Sequence, residues 1–456
     1  MVDRAIEKKS KILFSQLIIL NLSFTLISAF IVFKSITFFN GRISLLNYPI
    51  QIANIVLAVF FLSLSLAFRN QKKTMALFWL FQLIFFGLTG LLNVLDPYPY
   101  YLTQIASFSD LQKAAEYTFV GQIFVASAQV YFMNKNKSND TDELHLGGID
   151  YQEAKKRVMK ILVSYIFLLP IIINSLGGSE FLFRRVRYGP RISNLTIASQ
   201  AFFESLLYVP PLICLLTIIY IGKSFEKLRM IMILLVVWIT FLSNPFANAR
   251  QVTLFLLIPI VFYFLRGKRI ATNCLFLGLP FLLIYSVSAV DRVTGQLNQP
   301  KFSILSRQGD FDSFAQFANG IRLVDNDIFP HFQQILGPVL FFVPRSIWHS
   351  KPRDTGVEIA DQLSLSYQNL SAPWILEAYS NARLLGLILT SIFLGFYLCK
   401  FDLDSQLNLR TWLLGSILAG ALFIVLRGSL LQATGRVFAS FLIIYYITNR
   451  LKIKSF

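Results

Sequence analysis

One feature constrains this chain more than any other: apolar runs of about 15 to 22 residues, separated by short polar clusters, recur from end to end. They fall near residues 12–33, 49–68, 74–95, 114–132, 158–176, 201–221, 229–243, 251–265, 272–289, 384–399, 411–426 and 430–447. Hydrocarbon about 30 Å thick is crossed by roughly 20 helical residues, and in lipid every backbone polar group must be paired within the segment. The expectation is an all-α integral membrane protein of about twelve transmembrane helices. The seventh to ninth runs are short or closely spaced, so one pair there could be re-entrant.

Composition excludes the soluble alternatives. Of the 456 residues 55% are hydrophobic, 45 are phenylalanine, and the mean hydropathy is +0.59, well beyond an ordinary soluble domain. The first run follows Lys8, Lys9 and Lys11 as a secretory signal would. It is too long for one, lacks a small-residue cleavage site and precedes many further spans, so an uncleaved first helix is expected. The net charge of +18 is spread over loops with no soluble basic domain to hold a duplex, which points away from nucleic acid and toward membrane lipids and phosphorylated ligands. Cys214, Cys274 and Cys399 lie in apolar runs, against a disulfide framework or a metal cluster.

Lysine and arginine in the connecting loops set the orientation. With the N-terminus in the cytoplasm, the inner loops carry Arg69, Lys72 and Lys73; Lys155, Lys156, Arg157 and Lys160; Lys223, Lys227 and Arg229; Arg266, Lys268 and Arg269; and Arg450, Lys452 and Lys454. The outer loops are poor in lysine but hold Arg184, Arg185, Arg187, Arg191, Arg250, Arg292, Arg307, Arg322, Arg345, Arg353, Arg383, Arg427 and Arg436. Topology alone does not select arginine over lysine. Planar, bidentate contact with phosphate or carboxylate does, so an outward-facing phosphate ligand is expected, with solvation or pairing to nearby Asp and Glu as the plainer reading of any one arginine.

Three parts follow: a first bundle over 1–289, a large outer loop over 290–383, and three last helices over 384–456, with the C-terminus in the cytoplasm. The loop is the one extramembrane segment long enough to fold. Its apolar stretch Ile335 to Val343, interrupted by Pro338, is too short to span and suggests an interfacial or re-entrant helix, so the loop is expected on the membrane surface with short helices. Residues 133–157 read as a flexible cytoplasmic connector.

The densest polar constellation is PRSIWHSKPRDTG, Pro344 to Gly356, in which Arg345, His349, Lys351, Arg353 and Asp354 stand among prolines that limit backbone freedom. Downstream, APWILEAYSNARLLG places Glu377 and Arg383 just before the tenth run. Two acidic pairs, Asp310/Asp312 and Asp325/Asp327, have the spacing of metal-diphosphate ligands, though such pairs are common as turn caps. Phe181 to Arg191 interleaves aromatics with arginines, suiting lipid anchoring or the entrance for a polyprenyl donor.

At these residues the chain resembles the oligosaccharide repeat-unit polymerase (O-antigen polymerase, Wzy) family. The resemblance rests on SNPFANAR at Ser243 to Arg250, on the Pro-Arg, aromatic, Lys-Pro arrangement at Pro344 to Pro352, and on Glu-Ala-Tyr-Ser-Asn at Glu377 to Asn381. It extends to the topology, about twelve spans with one long late loop. The glycine usual after the last motif is replaced by Ala382-Arg383, with Gly386 following.

The resemblance implies a glycosyltransferase of the C-type membrane superfamily, without cofactor or metal, in the bacterial inner membrane. It implies repeat units on undecaprenyl diphosphate as substrates, with a chain-length regulator and a flippase as partners. A departing lipid diphosphate builds negative charge that arginines stabilise, and a general base activates the attacking hydroxyl. Arg250, Arg345 and Arg353 are the expected diphosphate ligands, followed by Arg427 and Arg184. His349 is preferred to Glu377 as base; the plain readings are a capping or packing role for His349 and an ion pair with Arg383 for Glu377. His331 is a weaker candidate and His145 is expected on the cytoplasmic side. The rivals are an O-antigen ligase, which transfers finished polymer to lipid A core, and a flippase or secondary transporter. A transporter tends to place charge at mid-membrane and to show two related halves; here charge gathers at one face and no half-repeat is visible.

Overall fold

The computed structural model describes residues 2–38, 48–68, 72–96, 106–135, 151–178, 180–183, 197–221, 228–243, 250–265, 267–288, 305, 309–329, 332–365, 368, 370–404 and 409–450. Within these residues the chain is helical, with no strand. All twelve apolar runs form helices. They are α1 (Val2–Phe38), α2 (Pro49–Ala67), α3 (Lys73–Leu95), α4 (Phe108–Lys135), α5 (Tyr151–Ser175), α6 (Ile197–Ile221), α7 (Arg229–Leu242), α8 (Arg250–Phe264) and α9 (Arg269–Ser288). After the loop helices α10 (Ser313–Asp325), α11 (Gln333–Val339) and α12 (Thr355–Gln362) come α13 (Trp374–Asp404), α14 (Leu409–Arg427) and α15 (Leu430–Arg450).

Six of these helices are long and apolar enough to cross a bilayer: α1, α2, α3, α5, α6 and α13. The apolar helices α7, α8, α9 and α14 are shorter. The outward faces are apolar too: Ile19, Leu22 and Leu26 on α1, Phe167 and Ile171 on α5, Leu234 and Val237 on α7, and Leu389 and Phe393 on α13 are all exposed. So much outward-facing hydrocarbon is suited to lipid rather than water. Cys214 and Cys399 are buried and Cys274 is exposed.

Among the described residues two apolar cores form. One joins α1 to α4 with α10 and α13; the other joins α5, α6, α7 and α15. The helices α8 and α14 stand between them, with Phe423 and Leu426 in the first core and Ile417 and Ile424 in the second. Helices α8 and α14 run antiparallel: the Tyr263 ring packs on Trp412, while Phe255 and Pro259 surround Gly420, where an added Cβ would lie 2.5 Å from the Phe255 carbonyl oxygen. Small residues allow such close crossings. Arg250 therefore starts α8 at the end of the bundle where Arg427 finishes α14.

The loop does not simply rest on a membrane surface, as its composition suggests. Helix α10 is buried almost throughout and packs against α3, α4, α12 and α13. Its Phe314 and Phe317 are fully enclosed, and Asn319 accepts a hydrogen bond from the Ala106 N–H at 2.9 Å. Phe311, Phe314, Phe317, Ile321 and Val324 form a helical apolar stripe that hydropathy over longer windows dilutes. The next part of the loop does present apolar residues outward, with Ile335, Leu336, Val339, Phe342 and Ile347 exposed around the seven-residue α11.

Candidate functional site

A buried polar junction ties α11, α12 and α13 to the start of α15. Glu377, on the first turn of α13, is 1% exposed. Its Oε1 accepts a hydrogen bond from the Leu430 N–H at 3.1 Å. The first N–H groups of a helix have no partner within the helix, and its dipole favours an anion there. Glu377 thus supplies α15 with a cap from a distant part of the chain.

Asp354 extends the junction. Its Oδ1 accepts from the Gly356 N–H at 2.9 Å and caps α12, and its Oδ2 accepts from the Ser429 hydroxyl at 2.6 Å. Thr355 donates to Gln334 Oε1 at 3.3 Å. Asn381 closes the opposite side: its Oδ1 accepts from the Ile335 N–H at 2.8 Å, and its Nδ2 donates to the Glu377 carbonyl at 2.7 Å. The Glu-Ala-Tyr-Ser-Asn motif therefore uses both ends to lock the loop onto the bundle.

Arg427 sits beside this junction. Its guanidinium donates to the Gly309 carbonyl at 2.8 Å and lies 3.5 Å from the buried carboxylate of Asp312. Asp312 also accepts from the Ser371 N–H at 3.2 Å and from the Ser371 hydroxyl. Burial pushes the Asp312 carboxyl above the usual carboxylate range, and the Arg427 charge opposes that shift.

The other site residues are arranged more openly. Arg345 is exposed and donates to the carbonyls of Lys351 at 2.6 Å and Pro352 at 2.9 Å, bracing the Pro-Arg…Lys-Pro turn. Lys351 donates to the Phe341 and Val343 carbonyls at 2.7 and 2.8 Å; burial, with the neighbouring Arg345 charge, lowers its ammonium pKa. Arg353 pairs with Asp361. His349 is exposed in the same turn. Arg250 opens α8 at this end of the bundle. Arg184, His331 and His145 lie outside the described residues.

Both acidic pairs have protein partners. Asp325 meets Lys113 at 2.7 Å and the Tyr379 hydroxyl at 2.9 Å, while Asp327 meets Arg383 at 2.7 Å. Arg383 is thus joined to Asp327, and Glu377 instead faces Leu430.

The structure brings Glu377, Arg345, Arg353 and Arg427, with the first residue of the Arg250 helix, to one end of the bundle. Sequence reasoning missed Thr355, Gln334 and Ser429 as members of the junction, and placed Asp354 in the constellation without a role. The one local signal was Asp354-Thr355 ahead of Gly356, which reads as a helix cap.

The chain matches no family model, no curated protein and no solved structure.

Proposed function

We propose that this protein is a membrane glycosyltransferase that joins oligosaccharide repeat units carried on a polyprenyl diphosphate, at the outer face of a bacterial inner membrane. The observation that carries the reading is the meeting at one bundle end of two segments resembling the polymerase family, the Pro344–Pro352 turn and Glu377–Asn381, with Arg427 beside them. Arg250, the last residue of SNPFANAR, starts α8 at the same end, while residues 244–249 lie outside the described residues.

In the proposed reaction a hydroxyl oxygen of the acceptor glycan attacks the anomeric carbon of the donor. The bond from that carbon to the diphosphate oxygen breaks, the electron pair leaves with the lipid diphosphate, and the hydroxyl proton passes to a base. His349 suits the base because it is exposed. Glu377, enclosed and bonded to Leu430, suits the role of holding the site together. Arg250, Arg345, Arg353 and Arg427 supply positive charge for the departing diphosphate; Arg345 and Arg353, both exposed, can reach a ligand by modest side-chain movement.

Loss of the gene tests this reading. Surface glycan shortened to a single repeat unit supports polymerisation. Long polymer left on its carrier would identify a ligase, and units trapped inside the cell a flippase. Arg250→Ala and Arg345→Ala should each abolish polymer at unchanged protein level; full activity in both would remove the proposed diphosphate site.

A further inference from the structure

Away from the loop, α5, α6 and α15 enclose an open groove of about 1,040 Å³. That is at or above the range of about 300–1,000 Å³ usual for small-molecule sites. Its polarity changes along its length. On α5 one row of residues four apart, Lys156, Lys160, Ser164, Leu168 and Ile172, lines the groove, as the helical repeat dictates. Cations occupy one end and hydrocarbon the other.

Leu206 of α6 and Leu442 and Ile443 of α15 continue the apolar part, and Asn449 lies among the lining residues near the C-terminal end of α15. Helix α6 packs on both neighbours and forms the floor. Lys156, Lys160, Ser164 and Leu168 are all exposed. The remaining charges of the rim, Arg157 and Glu153, pair with each other, so the local excess of positive charge comes from the two lysines. Among the described residues neither lysine has an acidic partner.

We infer that this groove holds one anionic glycerophospholipid, its phosphate headgroup at Lys156 and Lys160 and an acyl chain running toward Ile172. The dimensions agree: the twelve helical steps from Lys160 to Ile172 rise about 18 Å at 1.5 Å per residue, close to the roughly 15 Å of one hydrocarbon leaflet. A soluble phosphate would leave the apolar shaft unused, and a neutral lipid would leave the lysines uncompensated. The inference is independent of the proposed reaction.

Native mass spectrometry of the full chain, exchanged into phosphatidylglycerol or phosphatidylethanolamine, tests it. The wild type should retain one phosphatidylglycerol under activation that strips phosphatidylethanolamine. Each lysine should contribute about fivefold to the preference, so Lys156→Gln with Lys160→Gln should lower it roughly twenty-five-fold. Leu168→Trp, which fills the shaft and leaves both cations in place, should also reduce retention. All three positions are exposed, and an unchanged single elution peak verifies folding. Equal retention of both lipids by the wild type, or an unchanged preference in the double variant, would overturn the assignment. Displacement of phosphatidylglycerol by a polyprenyl phosphate at equal concentration would overturn the glycerophospholipid as occupant.

Discussion

The carboxylate of Glu377 receives the Leu430 N–H at 3.1 Å, joining the first turn of α13 to the first residue of α15 across 53 positions of sequence. At the other end of α13, Asp402 accepts from the N–H groups of Thr74 and Met75, both at 2.9 Å, at the start of α3. One helix thus carries a buried carboxylate toward each of its ends, and each caps another helix. Glu377 and Asp402 are both buried, and a backbone N–H shut away from water needs a partner, so the caps are part of the fold.

Glu377→Leu should therefore destabilise. It leaves the Leu430 N–H without its acceptor, at about 1–3 kcal/mol for a buried unsatisfied group. Glu377→Gln keeps a carbonyl acceptor and should cost much less. Thermal unfolding in detergent, followed by the fraction remaining monodisperse, reads the difference. If Gln lowers polymer formation as much as Leu while melting like wild type, Glu377 takes part in the chemistry rather than in holding the site.

Arg427 and Asp312 give a pH signature. Burial raises the Asp312 carboxyl above its unfolded value, so the folded state binds its proton more tightly and this group's contribution to stability falls as pH rises from the unfolded value through the folded one. Removing the opposing guanidinium enlarges that effect. Arg427→Ala should lose more stability at pH 8 than at pH 5, on the order of 3–5 kcal/mol at the higher pH for an isolated buried charge. Asp312→Asn in the same background should abolish the pH dependence; its persistence would show that another group is responsible.

Helix α13 breaks at Ala382 and Arg383, where Arg383 has φ 49° and ψ −135°. Non-glycine residues rarely adopt such a conformation, at a cost of order 1–3 kcal/mol. The exposed ion pair to Asp327 offsets little of it. Arg383→Gly should raise the melting temperature, and Arg383→Val should lower it. A lower melting temperature for the glycine variant would show that the ion pair outweighs the strain.

Gly356 stands in the first turn of α12, close against Leu370. A Cβ there would fall 2.4 Å from the Leu370 carbonyl oxygen, a backbone atom that cannot swing aside. Gly356→Ala should displace the Asp354 cap and destabilise by about 1–3 kcal/mol. Limited proteolysis of the loop should quicken; an unchanged cleavage rate would mean that α12 shifts without consequence.

Much of this architecture is legible in hydropathy, because a bilayer imposes segment lengths that a reader can count. All twelve apolar runs are helices, and the Pro344–Gly356 and Glu377–Asn381 segments do meet. The burial of α10 was not legible: its five-residue apolar stripe is interrupted by Gln316 and Asn319, which satisfy each other and Ala106 inside the fold. Nor was the partner of Glu377. Arg383 lies six positions away and looked the natural counterion, but the kink carries it outward to Asp327, while α15 brings a backbone N–H to the carboxylate. The chain turns just after Asn381, with Arg383 in a conformation that glycine would adopt freely.

The proposed glycosyl transfer from a lipid diphosphate, by residues at the loop end of the bundle, is read out by reconstituting the purified chain in liposomes with a polyprenyl-diphosphate-linked oligosaccharide and following both products. Elongated lipid-linked glycan should form with one polyprenyl diphosphate released per linkage, and both should be lost in His349→Asn while the protein remains folded. Folded wild-type protein that neither extends the glycan nor releases the diphosphate would contradict the proposed transfer.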